Sequence, residues 1–152
     1  KASVAAAILW AAPTDLTTIE RQLWHLFRHE SPSYHPLKKM DRYIEYIDGP
    51  LDENRDKLKK ASPINYVDIG DPPVLLHHGY SDTIVPRQQS YEYEKKLKAA
   101  GVPVELVVFP HGGHRFYTAD VALDKHHPKI KVLQFLSKHL EKVSAVSNKG
   151  AK

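Results

Sequence analysis

The run from Val4 to Ala12 is almost continuously apolar. A strand without polar alternation is the kind buried on both faces, which points to a parallel sheet covered by helices. Two further strand signals follow, Val74 to His77 and Val104 to Phe109, and helical patterns separate the three. This β-loop-α-β-loop-α order predicts an α/β fold, a parallel sheet with right-handed crossovers and flanking helices.

The helices are legible from their ends and stripes. Thr17 or Thr18 is placed to cap a first helix through Arg28, with Leu23, Leu26 and Phe27 on one face. Ser31-Pro32-Ser33-Tyr34-His35-Pro36 breaks it, and a second helix is expected over Leu37 to Ile47, stopping at Asp48-Gly49-Pro50. A third covers about Glu53 to Lys60. Pro86 opens the next, where a missing N–H costs nothing, with Ser90, Tyr93, Leu97 and Ala100 inward and Gly101 as a left-handed cap. A last helix over 128–143 carries Leu133, Leu136, Leu140 and Val143 on one side, and a loose tail is expected over 144–152. Residues 1–143 then form a portion of one domain.

Two polar groups stand out at the carboxyl ends of the second and third strands, where ligands of parallel sheets bind. Asp82 follows Leu75-Leu76-His77-His78-Gly79-Tyr80-Ser81, and 32 residues later His114 closes Pro110-His111-Gly112-Gly113-His114. Loops after neighbouring parallel strands can bring an acid and an imidazole together, and such an acid fixes the tautomer of the imidazole. The paired glycines before His114 let its loop bend tightly. For Asp82 the plain alternative is a turn aspartate bonded to its own backbone.

The same text carries a family resemblance. Ala61-Ser62-Pro63-Ile64, Pro72-Pro73-Val74-Leu75-Leu76-His77-His78-Gly79, Asp82, Val85-Pro86, Gln89-Ser90, Leu97, Gly101-Val102-Pro103-Val104-Glu105-Leu106 and His114 resemble the C-terminal half of α/β-hydrolases. The nearest branches are small esterases and lipases, with the catalytic domain of prolyl-oligopeptidase-type peptidases as rival. Ala5 to Leu16 resembles the strand after the nucleophile helix of those families. The resemblance implies that Asp82 is the triad acid and His114 the general base. It also makes the helical block 17–60 a cap-like insertion, whose Trp24, Phe27 and Tyr34 are candidates for lining a substrate pocket, ordinary packing being the plainer role for each.

The Gly-x-Ser-x-Gly nucleophile elbow of α/β-hydrolases does not occur in this sequence. Gly79-Tyr80-Ser81-Asp82-Thr83 lacks the second glycine and falls in the acid loop. A chain that begins at Lys1, enters a buried strand at once and lacks the serine its acid and histidine would serve reads as part of a larger protein. The expected partner of strand 4–12 is an N-terminal portion carrying the nucleophile and oxyanion loop. The expected activity is cleavage of a small-molecule carboxylic ester by acyl transfer. A prolyl-oligopeptidase-type peptidase and an inert hydrolase-like binding module are the alternatives. The double proline before the second strand favours the esterase.

Composition narrows the rest. With no cysteine, disulfides and thiolate metal sites are excluded. His77, His78 and His111 invite a zinc reading, but adjacent strand residues point to opposite faces, so no metal and no cofactor is expected. The net charge of +4 comes from lysines interleaved with acids, as on solvated helix faces, and no nucleic-acid partner is expected. No apolar run approaches the ~18 residues of a membrane span.

Overall fold

The computed structural model describes residues 4–27, 49, 53–116 and 127–147. Three parallel strands, β1 (Ala7–Trp10), β2 (Val74–Gly79) and β3 (Val104–Phe109), form one sheet in the order β1-β2-β3. The register pairs Ala7 with Val74 and Trp10 with His77 on one side of β2, and Val74 with Val104 and Gly79 with Phe109 on the other. Every residue of β2 is buried, as expected of a central parallel strand, whereas β1 and β3 are half-buried along their length.

Between β1 and β2 lie α1 (Ile19–Phe27), α2 (Arg55–Ala61) and a 3₁₀ turn over Pro63–Tyr66. Helix α3 (Gln88–Ala99) connects β2 to β3, and α4 (Pro128–Ser147) follows. Side chains alternate across each strand, so the sheet has two unlike faces. On one, Val74 and Leu76 pack with Tyr93, Leu97 and Val102 of the α3 region, joined by Ala7, Leu9, Val104 and Leu106. On the other, His77 lies among Trp10, Phe109 and Phe116.

Helix α3 follows its sequence pattern. Ser90, Tyr93 and Leu97 are buried, together with Gln89, while Ala100 is only half-buried at the C-terminal end. Gly101 has φ +78°, and the N–H of Val102 returns to the carbonyl of Leu97 at 3.0 Å.

Two helical stripes need correction. In α1 the fully buried residues are Ile19 and Leu23, and Leu26 is exposed. In α4 Phe135 is buried, whereas Leu133 and Leu140 are 62% and 42% exposed. Two apolar stripes run along α4, and spacing alone cannot say which one meets the sheet. The stripe that holds buried Phe135 is the covered one here. The helix also continues to Ser147, beyond the expected end at Val143. The helix expected over Leu37 to Ile47 and the last residues of the expected tail lie outside the described residues.

Thr18 directly precedes α1, where the sequence pattern expects a cap, and its carbonyl accepts from the N–H of Gln22 at 3.0 Å. The Asp15 carboxylate accepts from the backbone N–H and hydroxyl of Thr17, and the Thr18 hydroxyl accepts from the side-chain amide of Gln22. Buried Gln89, at the start of α3, reaches across to this segment. Its Oε1 accepts from the N–H groups of Thr14 and Asp15, and its Nε2 donates to the Asp15 carbonyl and to Gln22 Oε1. Ser62 does the same from α2, donating to the Leu58 carbonyl and accepting from the N–H of Leu16.

Candidate active site

Strand β2 ends at Gly79, and the chain turns through Tyr80 and Ser81 into Asp82, whose N–H donates to the Gly79 carbonyl at 3.2 Å. The Asp82 carboxylate closes the turn from the other side. Its Oδ1 accepts from the N–H of Ile84 at 2.8 Å and of Val85 at 2.9 Å. The local role of a turn aspartate is therefore real, and one carboxylate oxygen performs it.

The other oxygen faces the histidine loop. Asp82 Oδ2 lies 2.9 Å from His114 Nδ1, with the carboxylate fully buried and the imidazole 30% exposed. A carboxylate accepts, so Nδ1 carries the hydrogen and Nε2 is left with its lone pair. That is the tautomer of a general base. A second imidazole, His78, sits on the same oxygen with Nε2 at 3.4 Å.

Burial opposes ionisation of Asp82, and the hydrogen bonds from His78, His114 and the N–H groups of Ile84 and Val85 outweigh it. The carboxyl is held below the usual carboxylate range.

The histidine loop is positioned by close backbone approach and by an aromatic stack. The Tyr80 N–H donates to the Phe109 carbonyl and the Ser81 N–H to the Gly112 carbonyl, both at 2.9 Å. A side chain on Gly79 would collide with the carbonyl oxygens of Gly112 and Gly113. Beyond His114, Phe116 stacks on Phe109 with ring centroids 4.8 Å apart and on Trp10 at 5.8 Å. These contacts pin both ends of the loop to the carboxyl-terminal rim of the sheet.

The residues singled out in the sequence separate clearly. Asp82 and His114 meet. His77 and His78 point to opposite faces, His77 into the aromatic layer and His78 toward α3. Trp24 is 52% exposed on α1. Tyr34 and the side chain of Phe27 lie outside the described residues. A cleft of about 280 Å³ runs between α1 and the start of α3, lined by Gln22, His25, Leu26, Pro86, Arg87 and Gln88, without Trp24. Arg87 is fixed beside it, donating to the Tyr80 carbonyl at 2.8 Å and lying over the Tyr80 ring. Among the described residues no group of three or more His, Cys, Asp or Glu is arranged to hold a metal ion.

Sequence reasoning missed the role of His78 and Ser90 beside the acid. The signal was present: His78 lies four residues before Asp82, and Ser90 falls on the inward stripe of α3.

Residues 1–97 match the BD-FAE family model. The chain belongs to the BD-FAE family. It is 40% identical over 74 residues to the acylamino-acid-releasing enzyme of Mus musculus, which covers 49% of this chain and 10% of that protein. It is 36% identical over 72 residues to esterase LipQ of Mycobacterium tuberculosis, covering 47% and 16%. Among solved structures, a truncated carbohydrate esterase from gut microbiota superposes with a TM-score of 0.56 at 28% identity, over 74% of this chain and 36% of that one. The BD-FAE chain thus has an α/β-hydrolase fold with relatives among esterases and acylamino-acid-releasing peptidases. It spans about a tenth of the mouse enzyme's length.

Proposed function

We propose that this chain supplies the acid and the base of a serine hydrolase that cleaves carboxylic esters, with the nucleophile and the oxyanion loop outside this sequence. The observation that carries the reading is the 2.9 Å contact between buried Asp82 and partly exposed His114 on the carboxyl-terminal rim. In that role His114 Nε2 takes the proton of the attacking serine and later delivers it to the leaving alcohol. Asp82 holds the Nδ1–H tautomer and stabilises the imidazolium that forms. Water then releases the acyl group by the same route. The block 17–60 acts as a cap in this reading, and an N-terminal portion pairs with the edge of β1 that no described strand occupies.

A peptidase of the prolyl-oligopeptidase type is the second reading, favoured by the likeness to acylamino-acid-releasing enzymes. Likeness to LipQ and to the gut carbohydrate esterase favours the ester.

The test is intact-mass analysis of the full-length protein after treatment with a fluorophosphonate probe, paired with assays on p-nitrophenyl acetate and on an acyl-amino-acid anilide. An adduct outside this sequence with ester turnover supports the proposal. Anilide turnover without ester turnover supports the peptidase. No adduct and no turnover would mark an inert binding module, and an adduct on Ser81 would overturn the placement of the nucleophile.

A further inference from the structure

Oδ2 of Asp82 has two imidazole neighbours, and only one of them can serve a nucleophile. His78 is fully buried near the end of β2. Its Nε2 lies 2.9 Å from the Val85 carbonyl and 3.4 Å from Asp82 Oδ2, and its Nδ1 lies 2.7 Å from the Ser90 hydroxyl. A carbonyl only accepts, so the ring hydrogen is on Nε2, Nδ1 is bare, and Ser90 donates its O–H to it. The Nε2–H therefore sits between the Val85 carbonyl and Asp82 Oδ2. The Val85 N–H returns to Asp82 Oδ1 and closes a ring from α3 through β2 to the acid loop.

Both oxygens of the rigid carboxylate turn together about the last side-chain bond of Asp82, so the two backbone N–H groups on Oδ1 and His78 on Oδ2 act on the same angle from opposite ends. The side chain is fully buried, so bulk water cannot hold Oδ2 in place.

We propose that His78, oriented by Ser90, is a positioning residue that aims Oδ2 of Asp82 at Nδ1 of His114. The inference rests on the reading of Asp82 and His114 as acid and base. Small displacements of a catalytic group cost about 100-fold in rate. Accordingly His78→Leu lowers kcat by about 10- to 100-fold with KM little changed. His78→Gln, which keeps an N–H near the position of Nε2, recovers part of the loss. Ser90→Ala, which leaves the ring in place without its orienting hydroxyl, gives a smaller loss of the same kind.

The experiment uses the full-length protein. It combines kcat and KM for these variants with the proton resonance of His114 Nδ1–H and the ¹⁵N tautomer signature of His78 in the wild type. The expected result is a kcat-only defect in His78→Leu, a shifted or broadened Nδ1–H resonance, partial rescue by Gln, and a wild-type His78 protonated on Nε2. A folded His78→Leu variant with wild-type kcat and an unmoved resonance overturns the inference, as does a wild-type His78 carrying its hydrogen on Nδ1. If His78→Leu does not fold, Ser90→Ala decides, and wild-type kcat there overturns it. Asp82→Asn and His114→Ala separate the two levels. Wild-type rates in both would remove the acid–base reading itself. Inactivity in both with a silent His78→Leu would remove only the positioning role.

Discussion

Asp82 stays ionised where burial works against it, because four hydrogen-bond donors converge on its two oxygens. Asp82→Asn keeps the shape but can present an N–H where His114 needs an acceptor. On the proposed acid–base reading, steady-state turnover of the full-length protein should fall about 10⁴-fold. His77 is the opposite case. It is fully buried, neither ring nitrogen has a hydrogen-bond partner among the described residues, and its ring stands edge-to-face against Trp10 and Phe109. Burial, and then the nearby Lys131 ammonium, lower its pKa from 6.5 to about 4. The folded state therefore refuses a proton that the unfolded chain accepts below pH 6.5. Above that pH His77 contributes no pH dependence. As pH falls from 6.5 toward 4 it removes stability, by up to about 1.4 kcal/mol per unit. Asp82 acts lower, since its contribution is present above about 3.8 and lost as pH falls through its folded value. Urea midpoints between pH 7 and 4.5 check the first window. His77→Leu should flatten the decline, and an equal decline in both proteins would assign it to other groups.

At the level of elements, the acid and histidine loops meet because β2 ends in a glycine. The ideal Cβ of an alanine at 79 would overlap the Gly112 and Gly113 carbonyls, so the loop carrying His114 has to move. Gly79→Ala should lower both the melting temperature and kcat, and a variant matching wild type in both would mean the loop gives way freely. Gln89 couples α3 to the β1–α1 segment in a comparable way. Its replacement by leucine leaves the Thr14 and Asp15 N–H groups without their acceptor and removes the amide that served the Asp15 carbonyl. Each unsatisfied buried group costs about 1–3 kcal/mol. Because the Thr14 contact is buried and the two Asp15 contacts are part-buried, Gln89→Leu should destabilise by about 1–3 kcal/mol, measured by denaturant unfolding. A loss below about 1 kcal/mol would show that water replaces the amide.

Across the whole molecule, β1 forms one edge of the described sheet. Among the described residues β1 pairs only with β2, and Val4 at its approach is 68% exposed. Apolar Leu133 and Leu140 are exposed on α4. An unpaired apolar edge strand is a template for another strand. Expressed alone, the chain should self-associate with rising concentration, and on the proposed reading co-expression with a portion that pairs with β1 should suppress this. Light scattering after size exclusion checks both, and a monomer at all concentrations would mean that the edge is protected within the chain. No described helix is long and apolar enough to cross a membrane.

The sequence by itself determined the alternation of strands and helices, the left-handed cap at Gly101 and the positions of Asp82 and His114 at strand ends. Each of those is a local signal, written in a run of apolar residues, a glycine or a loop after a strand. Only the tertiary structure decided which stripe of α4 is buried, because both stripes are apolar and the choice depends on what Phe135 meets. It likewise decided that His77 enters an aromatic layer while His78 joins Ser90 and Asp82. Adjacent residues in a strand face opposite sides, and the partners on each side come from segments 4 to 67 residues away, so their chemistry is set by packing that spacing alone does not encode.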